Sequence, residues 1–186
     1  MIIGVYGTIG AGKTTISNKI KKLKFKVVNA DKIARDILNS RDIQKQIKNL
    51  FPNAFVVDEL DRSKLRKIIS EDEKSLNKLN SIVWPEIKNQ ISLIIKTNPG
   101  NIVIDAALLP ELDLEIDKYI RVKSNLITTL LRVKKRDKKS FKETYRIYKQ
   151  QKQRINKYKI NDEVIISNDI WTKNITYKQL HKKIFK

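Results

Sequence analysis

The sequence predicts an α/β fold, a three-layer α/β/α arrangement around a central five-stranded parallel sheet. Five short apolar runs recur along the chain, at Ile2 to Tyr6, Val27-Val28, Ile102 to Ile104, Tyr119 to Val122 and Val164 to Ile166. Helical patterns separate them, and such alternation marks parallel strands covered on both faces. A glycine-punctuated loop, Gly7 to Gly12, joins the first run to the first helix. A chain of 186 residues fits a single domain, 1–186. Its core is expected from about 1–40, 98–124 and 160–186, with a helical region at about 41–97 and a lid at about 125–159.

Each element follows from its pattern. Lys13 to Leu23 reads as a helix because Ile16, Ile20 and Leu23 recur at helical spacing. The second run ends at Asn29-Ala30-Asp31. From about Arg41 to Thr97 the chain reads as helical, without a strand. Arg62 to Ile69 is amphipathic. Ser75 to Ile95 is long and periodic through Leu79, Val83, Ile87 and Ile91, and Pro85 inside it should kink or break it. Asn98-Pro99-Gly100-Asn101 is a turn before the third run, which ends at Asp105. Asn125 to Lys159 is helical and very basic, an insertion at one sheet edge. The fifth run ends at Ser167-Asn168, and a last helix covers Thr172 to Phe185.

Composition excludes several classes. Without Cys there is no disulfide, thiolate metal site or Cys nucleophile. A single His, His181, excludes a multi-histidine metal site. The first residues lack a signal peptide, and no stretch approaches the roughly 20 apolar residues of a membrane span. A soluble, cytoplasmic monomer with no membrane partner is expected. The formal net charge of +20 admits a nucleic-acid partner, a polyphosphate substrate, or a Lys-rich composition. The charge is uneven. Arg121 to Lys159 holds 15 basic and 2 acidic residues, an excess of 15 − 2 = +13. That reads as anion capture by one moving element. The aromatic fraction is only 7%, with no RNA-binding aromatic signature, so no nucleic-acid partner is expected.

Gly7-Thr8-Ile9-Gly10-Ala11-Gly12-Lys13-Thr14 matches G-x-x-x-x-G-K-[ST] in full. Glycines let backbone amides wrap a phosphate, and the following helix adds its N-terminal amides. ATP is expected at Gly10, Ala11, Gly12, Lys13, Thr14 and Thr15, within a P-loop NTPase fold. Lys13 reaches the β and γ phosphates, and the Thr14 hydroxyl ligates Mg²⁺. A chance glycine turn is the rival reading; the strand before and the helix after argue against it. The guanine-reading Asn-Lys-x-Asp of GTPases is absent. Asp31, at a strand end, could accept a proton from an attacking hydroxyl, or could cap the next helix. It is expected to face the P-loop across the ligand crevice. Asp105 ends a hydrophobic strand, as a Mg²⁺-holding carboxylate does, or caps a turn.

Together these features resemble the dephospho-CoA kinase family, nearly end to end. The family's P-loop corresponds to Gly7 to Thr14 and its Asp-Ala-Asp-x-Ile-Ala-Arg to Asn29 to Arg35. Its Leu-Asp-Arg-x-x-Leu-Arg corresponds to Leu60 to Arg66, and its Arg-x-x-x-Arg-Asp to Arg132 to Asp137. Gln150 and the segment Asn161 to Asn168 match its closing elements. The resemblance implies ATP- and Mg²⁺-dependent phosphorylation of the ribose 3′-hydroxyl of dephospho-CoA, the last step of coenzyme A synthesis. It implies Asp31 as base, with Lys13 and Arg136 beside it in catalysis and Arg132 at the ATP. Asp31, Arg62, Asp105 and Leu108 are implied on the substrate side, and Thr14 and Asp105 at the metal. Thr8 and Ala11 are substitutions within the family's P-loop, and four further positions depart from its pattern. Trp84 replaces a His before Pro85, Pro110 a Phe, Ala107 a Pro, and Asn29 the first Asp. Trp84 is expected in the core. Another small-molecule P-loop kinase, a nucleic-acid-binding P-loop ATPase and a non-catalytic paralogue are the alternatives.

Overall fold

The computed structural model describes residues 1–171 and 175–185. The chain forms two compact units, Met1–Asn29 with Ile95–Lys186, and Ala30–Ile94. In the first unit, β1 (Ile2–Tyr6) leads through the glycine-rich loop into α1 (Lys13–Lys21) and β2 (Lys26–Asn29). The second unit begins with α2 (Ala30–Ile37) and α3 (Arg41–Leu50). A 3₁₀ turn (Pro52–Ala54) and the pair β3 (Phe55–Val56) and β4 (Glu59–Leu60) come next. Then follow α4 (Arg62–Glu71) and α5 (Glu73–Thr97).

The chain returns to the sheet with β5 (Ile102–Asp105), a 3₁₀ turn (Leu109–Leu112) and β6 (Lys118–Lys123). The basic stretch divides into α6 (Leu126–Asp137) and α7 (Phe141–Ile155). β7 (Val164–Ser167) and α8 (Tyr177–Phe185) complete the unit. Of the last predicted helix, Thr172 to Asn174 lie outside the described residues.

The sheet order is β2-β5-β1-β6-β7, every pair parallel. Strands β1 and β5 are buried almost throughout, as a sheet covered on both faces requires. Ile3 and Val5 share one face and cluster with Ile16 and Ile20 of α1 and Leu180 and Ile184 of α8, all at most 1% exposed. Burying each such side chain stabilises the fold by about 1.5–3 kcal/mol. Gly4, on the opposite face, leaves room for Leu109 and Ile116.

Two sequence expectations change. The region 41–97 does contain strands, in the antiparallel β3–β4 hairpin. Its two-residue turn, Val57-Asp58, takes φ values of 47° and 69°, the left-handed pair a tight hairpin needs. Val-Asp is an uncommon choice for that turn, so nothing in the sequence signals it. Pro85 does not break α5, which runs 25 residues through it. Leu79 and Val83 before it, and Ile87 and Ile91 after it, are all buried. Burial of both halves offsets the roughly 3 kcal/mol cost of an interior proline.

Local signals set the helix starts. Asp61 caps α4 by accepting from the Ser63 and Lys64 N–H groups at 2.8 and 3.1 Å. Ser140 caps α7 by accepting from the Glu143 N–H at 3.1 Å, in the spacing of a capping box. No helix among the described residues is long and apolar enough to cross a membrane.

Candidate phosphate-transfer site

The glycine-rich loop leaves β1 at the centre of the sheet, where α/β folds place their ligands. Two glycines are sterically required. A Cβ on Gly7, at φ 150°, would lie 2.2 Å from the Val122 carbonyl oxygen of β6. One on Gly12, at φ 91°, would lie 2.0 Å from Asn168 Nδ2. Gly12 is also the N-cap of α1, whose first turn holds no acidic residue. The Thr14 and Thr15 N–H groups therefore stand at the positive start of the helix. That is the arrangement an anion needs.

The loop's outward carbonyls are taken by protein donors. Asn168, buried just past β7, donates through Nδ2 to the Ala11 carbonyl at 2.9 Å. Arg132 of α6 donates through Nη1 to the Gly10, Ala11 and Asn168 carbonyls at 3.3, 3.4 and 2.7 Å. On the ascending arm, the Ile9 N–H donates to Gln151 Oε1 of α7 at 2.6 Å. The Lys13 ammonium donates to the Thr8 carbonyl at 3.2 Å, inside the loop. The loop is thus held in shape from outside.

Thr14 and Asp105 meet beside this cradle. The Thr14 hydroxyl donates to Asp105 Oδ2 at 3.0 Å, and Asp105 is buried at the end of β5. These hard oxygen donors fit Mg²⁺, which keeps much of its water and takes few protein ligands. Among the described residues no group of three or more His, Cys, Asp or Glu could hold a metal, so the fit rests on this pair.

Below the loop lies a second polar layer. Tyr6, just before Gly7, donates its hydroxyl to Glu163. Burial, then the hydrogen bond and charge of Glu163, push its pKa above the ordinary tyrosine range, so it stays a neutral donor. Arg121 lies 3.8 Å from Glu163 and donates to Asn156 Oδ1 at 2.6 Å. Arg154 makes two bonds to Glu111, one of them through Nε at 2.9 Å. The Ile155 side chain beside it is buried. The last turns of α7 are thereby fixed to the sheet.

The remaining predicted residues have their own settings. Arg136 is exposed and forms a bidentate pair with neighbouring Asp137 at 2.7 and 2.8 Å. Leu108 is half-buried ahead of the Leu109–Leu112 turn, which accepts Pro110 in its first positions. Asn29 pairs in register with Asp105 across β2 and β5.

In the helical unit, Asp31 is the second residue of α2 and is exposed. It stands inside the first turn, with Asn29 before the helix start, so Asp31 does not occupy the cap position. Arg62 donates through Nη2 to the Arg35 carbonyl at 2.9 Å and to Asn39 Oδ1 at 2.6 Å, closing the end of α2. Trp84 is half-buried rather than a core residue.

The sequence reading named Gln150 and did not single out Gln151, whose contact with Ile9 spans 142 positions. It also missed the Arg121, Asn156 and Arg154 anchors, whose partners are fixed by topology rather than by local pattern.

A phosphate cradle at the end of a central parallel strand, with a lysine and a threonine–aspartate pair beside it, defines a P-loop nucleotide-binding protein. The comparisons narrow the class. A family model described as dephospho-CoA kinase matches residues 1–173, and the chain belongs to that family. A dephospho-CoA kinase of Fusobacterium nucleatum is 35% identical over 173 residues, 90% of each chain. One from Oceanobacillus iheyensis is 31% identical over 177 residues, 90% of this chain and 89% of that one. Among solved structures, a Thermus thermophilus protein superposes with a TM-score of 0.76 at 22% identity, covering all of this chain and 94% of its own. A dephospho-CoA kinase from Campylobacter jejuni gives 0.59 at 21% identity, covering 99% and 93%. At those identities the superpositions speak to the fold.

Proposed function

We propose that this protein transfers the γ-phosphoryl group of ATP to the ribose 3′-hydroxyl of dephospho-CoA, giving coenzyme A and ADP. One observation carries the reading: a family match spanning nearly the whole chain includes an intact, externally braced phosphate loop. The Gly10 to Thr15 amides bind the ATP phosphates, and Lys13 neutralises charge between the β and γ groups. Thr14 and Asp105 would hold Mg²⁺, which when bound neutralises phosphate charge.

Asp31 is assigned as the base. Its carboxylate takes the proton of the 3′-hydroxyl as the oxygen bonds to the γ phosphorus, and the bond to the β-phosphate oxygen breaks. The exposure of Asp31 and its position off the helix cap support this role. Arg62 and Leu108 are assigned to the acceptor side. Arg132 is assigned to the ATP side, where its bonds to the loop also hold the cradle. Arg136 is assigned to the transferring phosphoryl group once released from Asp137. The reading carries a cytoplasmic monomer with it, and it assigns the +13 excess of residues 121–159 to phosphate capture rather than nucleic acid.

The test is ADP release in a coupled assay with dephospho-CoA, AMP, adenosine or shikimate as acceptor. Stimulation by dephospho-CoA alone is expected. Stimulation by AMP or shikimate but not by dephospho-CoA would overturn the assignment.

A further inference from the structure

Gln151 stands where the loop and the basic helices meet. Its Oε1 accepts from the Ile9 N–H at 2.6 Å, a contact between residues 142 positions apart. A primary amide accepts at one atom and donates two hydrogens from the other. A carboxylate there would accept from Ile9 equally well, but would set a negative charge beside a site built for phosphate. With the acceptor end engaged on the loop, the donor end remains for a ligand.

The side chain is also fixed in advance. Three residues on, Arg154 is paired with Glu111; the next residue, Ile155, is 2% exposed; and Asn156 accepts from Arg121. A side chain on so anchored a turn loses little freedom when ligand arrives. We propose that Gln151 is a ligand-binding residue that confers selectivity for triphosphate. It holds the ascending arm of the loop through Ile9 and donates its amide hydrogens to the terminal phosphoryl group of a nucleoside triphosphate. This inference rests on the kinase reading above.

The experiment is titration calorimetry of Mg-ATP and Mg-ADP into the full-length protein and its Gln151→Leu and Gln151→Glu variants, with Gln153→Ala as control. Melting temperatures and steady-state kinetics accompany it. Loss of the amide in Gln151→Leu is expected to weaken ATP about tenfold and ADP less than about twofold. Gln151→Glu should weaken ATP further still, because it keeps the Ile9 bond and adds repulsion. Both variants should lower kcat and leave KM for dephospho-CoA unchanged, and Gln153→Ala should match wild type.

Wild-type ATP affinity in Gln151→Glu would overturn the proposal. So would equal weakening of ATP and ADP in both variants, which is the mark of a merely structural contact. Failure of the kinase reading shows differently. A wild-type protein that binds ATP but phosphorylates no dephospho-CoA refutes that reading while leaving the ATP-to-ADP comparison intact.

Discussion

The phosphate loop and the helical unit Ala30–Ile94 are built on opposite terms. In the loop, the Gly10 and Ala11 carbonyls and the Ile9 amide are engaged by Arg132, Asn168 and Gln151. In the helical unit, charged groups such as Lys45 and Asp42 pair at the surface, and Asp31 is exposed. Surface pairs of that kind contribute little, about 0–1 kcal/mol. The contrast separates two requirements of phosphoryl transfer. The donor end profits from dipoles fixed in place, which cost no reorganisation at the moment of reaction. On the proposed assignment, the acceptor end admits a large substrate and can be set by fewer contacts.

Substitutions can break or sharpen this contrast. The largest effect is expected at the chemistry. Lys13→Ala and Asp31→Asn should each abolish turnover, measured as ADP formed with dephospho-CoA present. They should differ in binding, with ATP affinity reduced in Lys13→Ala and retained in Asp31→Asn. An Asp31→Asn variant with near wild-type kcat would remove Asp31 as the base.

Next in size is the brace. Asn168→Ala leaves the buried Ala11 carbonyl without its Nδ2 donor and should cost about 1–3 kcal/mol in stability. Thermal melting and KM for ATP should both move, while KM for dephospho-CoA stays within error. Movement in the acceptor KM alone would mean that the loop does not depend on this contact.

Arg62→Ala tests the opposite region. Loss of its bonds to Arg35 and Asn39 should destabilise the protein by about 1 kcal/mol and raise KM for dephospho-CoA, with KM for ATP unchanged. A stability loss with no kinetic change would assign Arg62 to the α2 end only.

The smallest effect is in the pH response of the helical unit. The Ser63 side chain, the Lys64 and Ser63 N–H groups and the Lys64 charge hold the Asp61 carboxyl below its usual range. A carboxyl with a lowered folded pKa adds stability above its unfolded pKa and loses it as pH falls through the folded value. Asp61→Asn should therefore flatten the acid side of the stability curve slightly, as read by urea melts from neutral to acidic pH.

The sequence exposed most of what repeats locally. Apolar runs announced all five sheet strands, and the spacing of Ile16 and Ile20 announced α1. The phosphate loop was legible because its chemistry demands fixed residues in a fixed order. The β3–β4 hairpin was hidden because Val57 and Asp58 are unusual at left-handed positions. The brace was legible only in pieces. Arg132 and Asn168 lay in recognised segments, but their convergence on one carbonyl depends on strand order. Gln151 was not singled out because its partner Ile9 lies 142 positions away in the chain.

The most direct measurement is the position of the transferred phosphate. Purified protein with Mg-ATP and dephospho-CoA, followed by phosphorus NMR and mass analysis of the product, should give coenzyme A phosphorylated at the ribose 3′ position, in equal amount with ADP. Inorganic phosphate without coenzyme A, or a phosphate at any other position of the acceptor, would contradict the account.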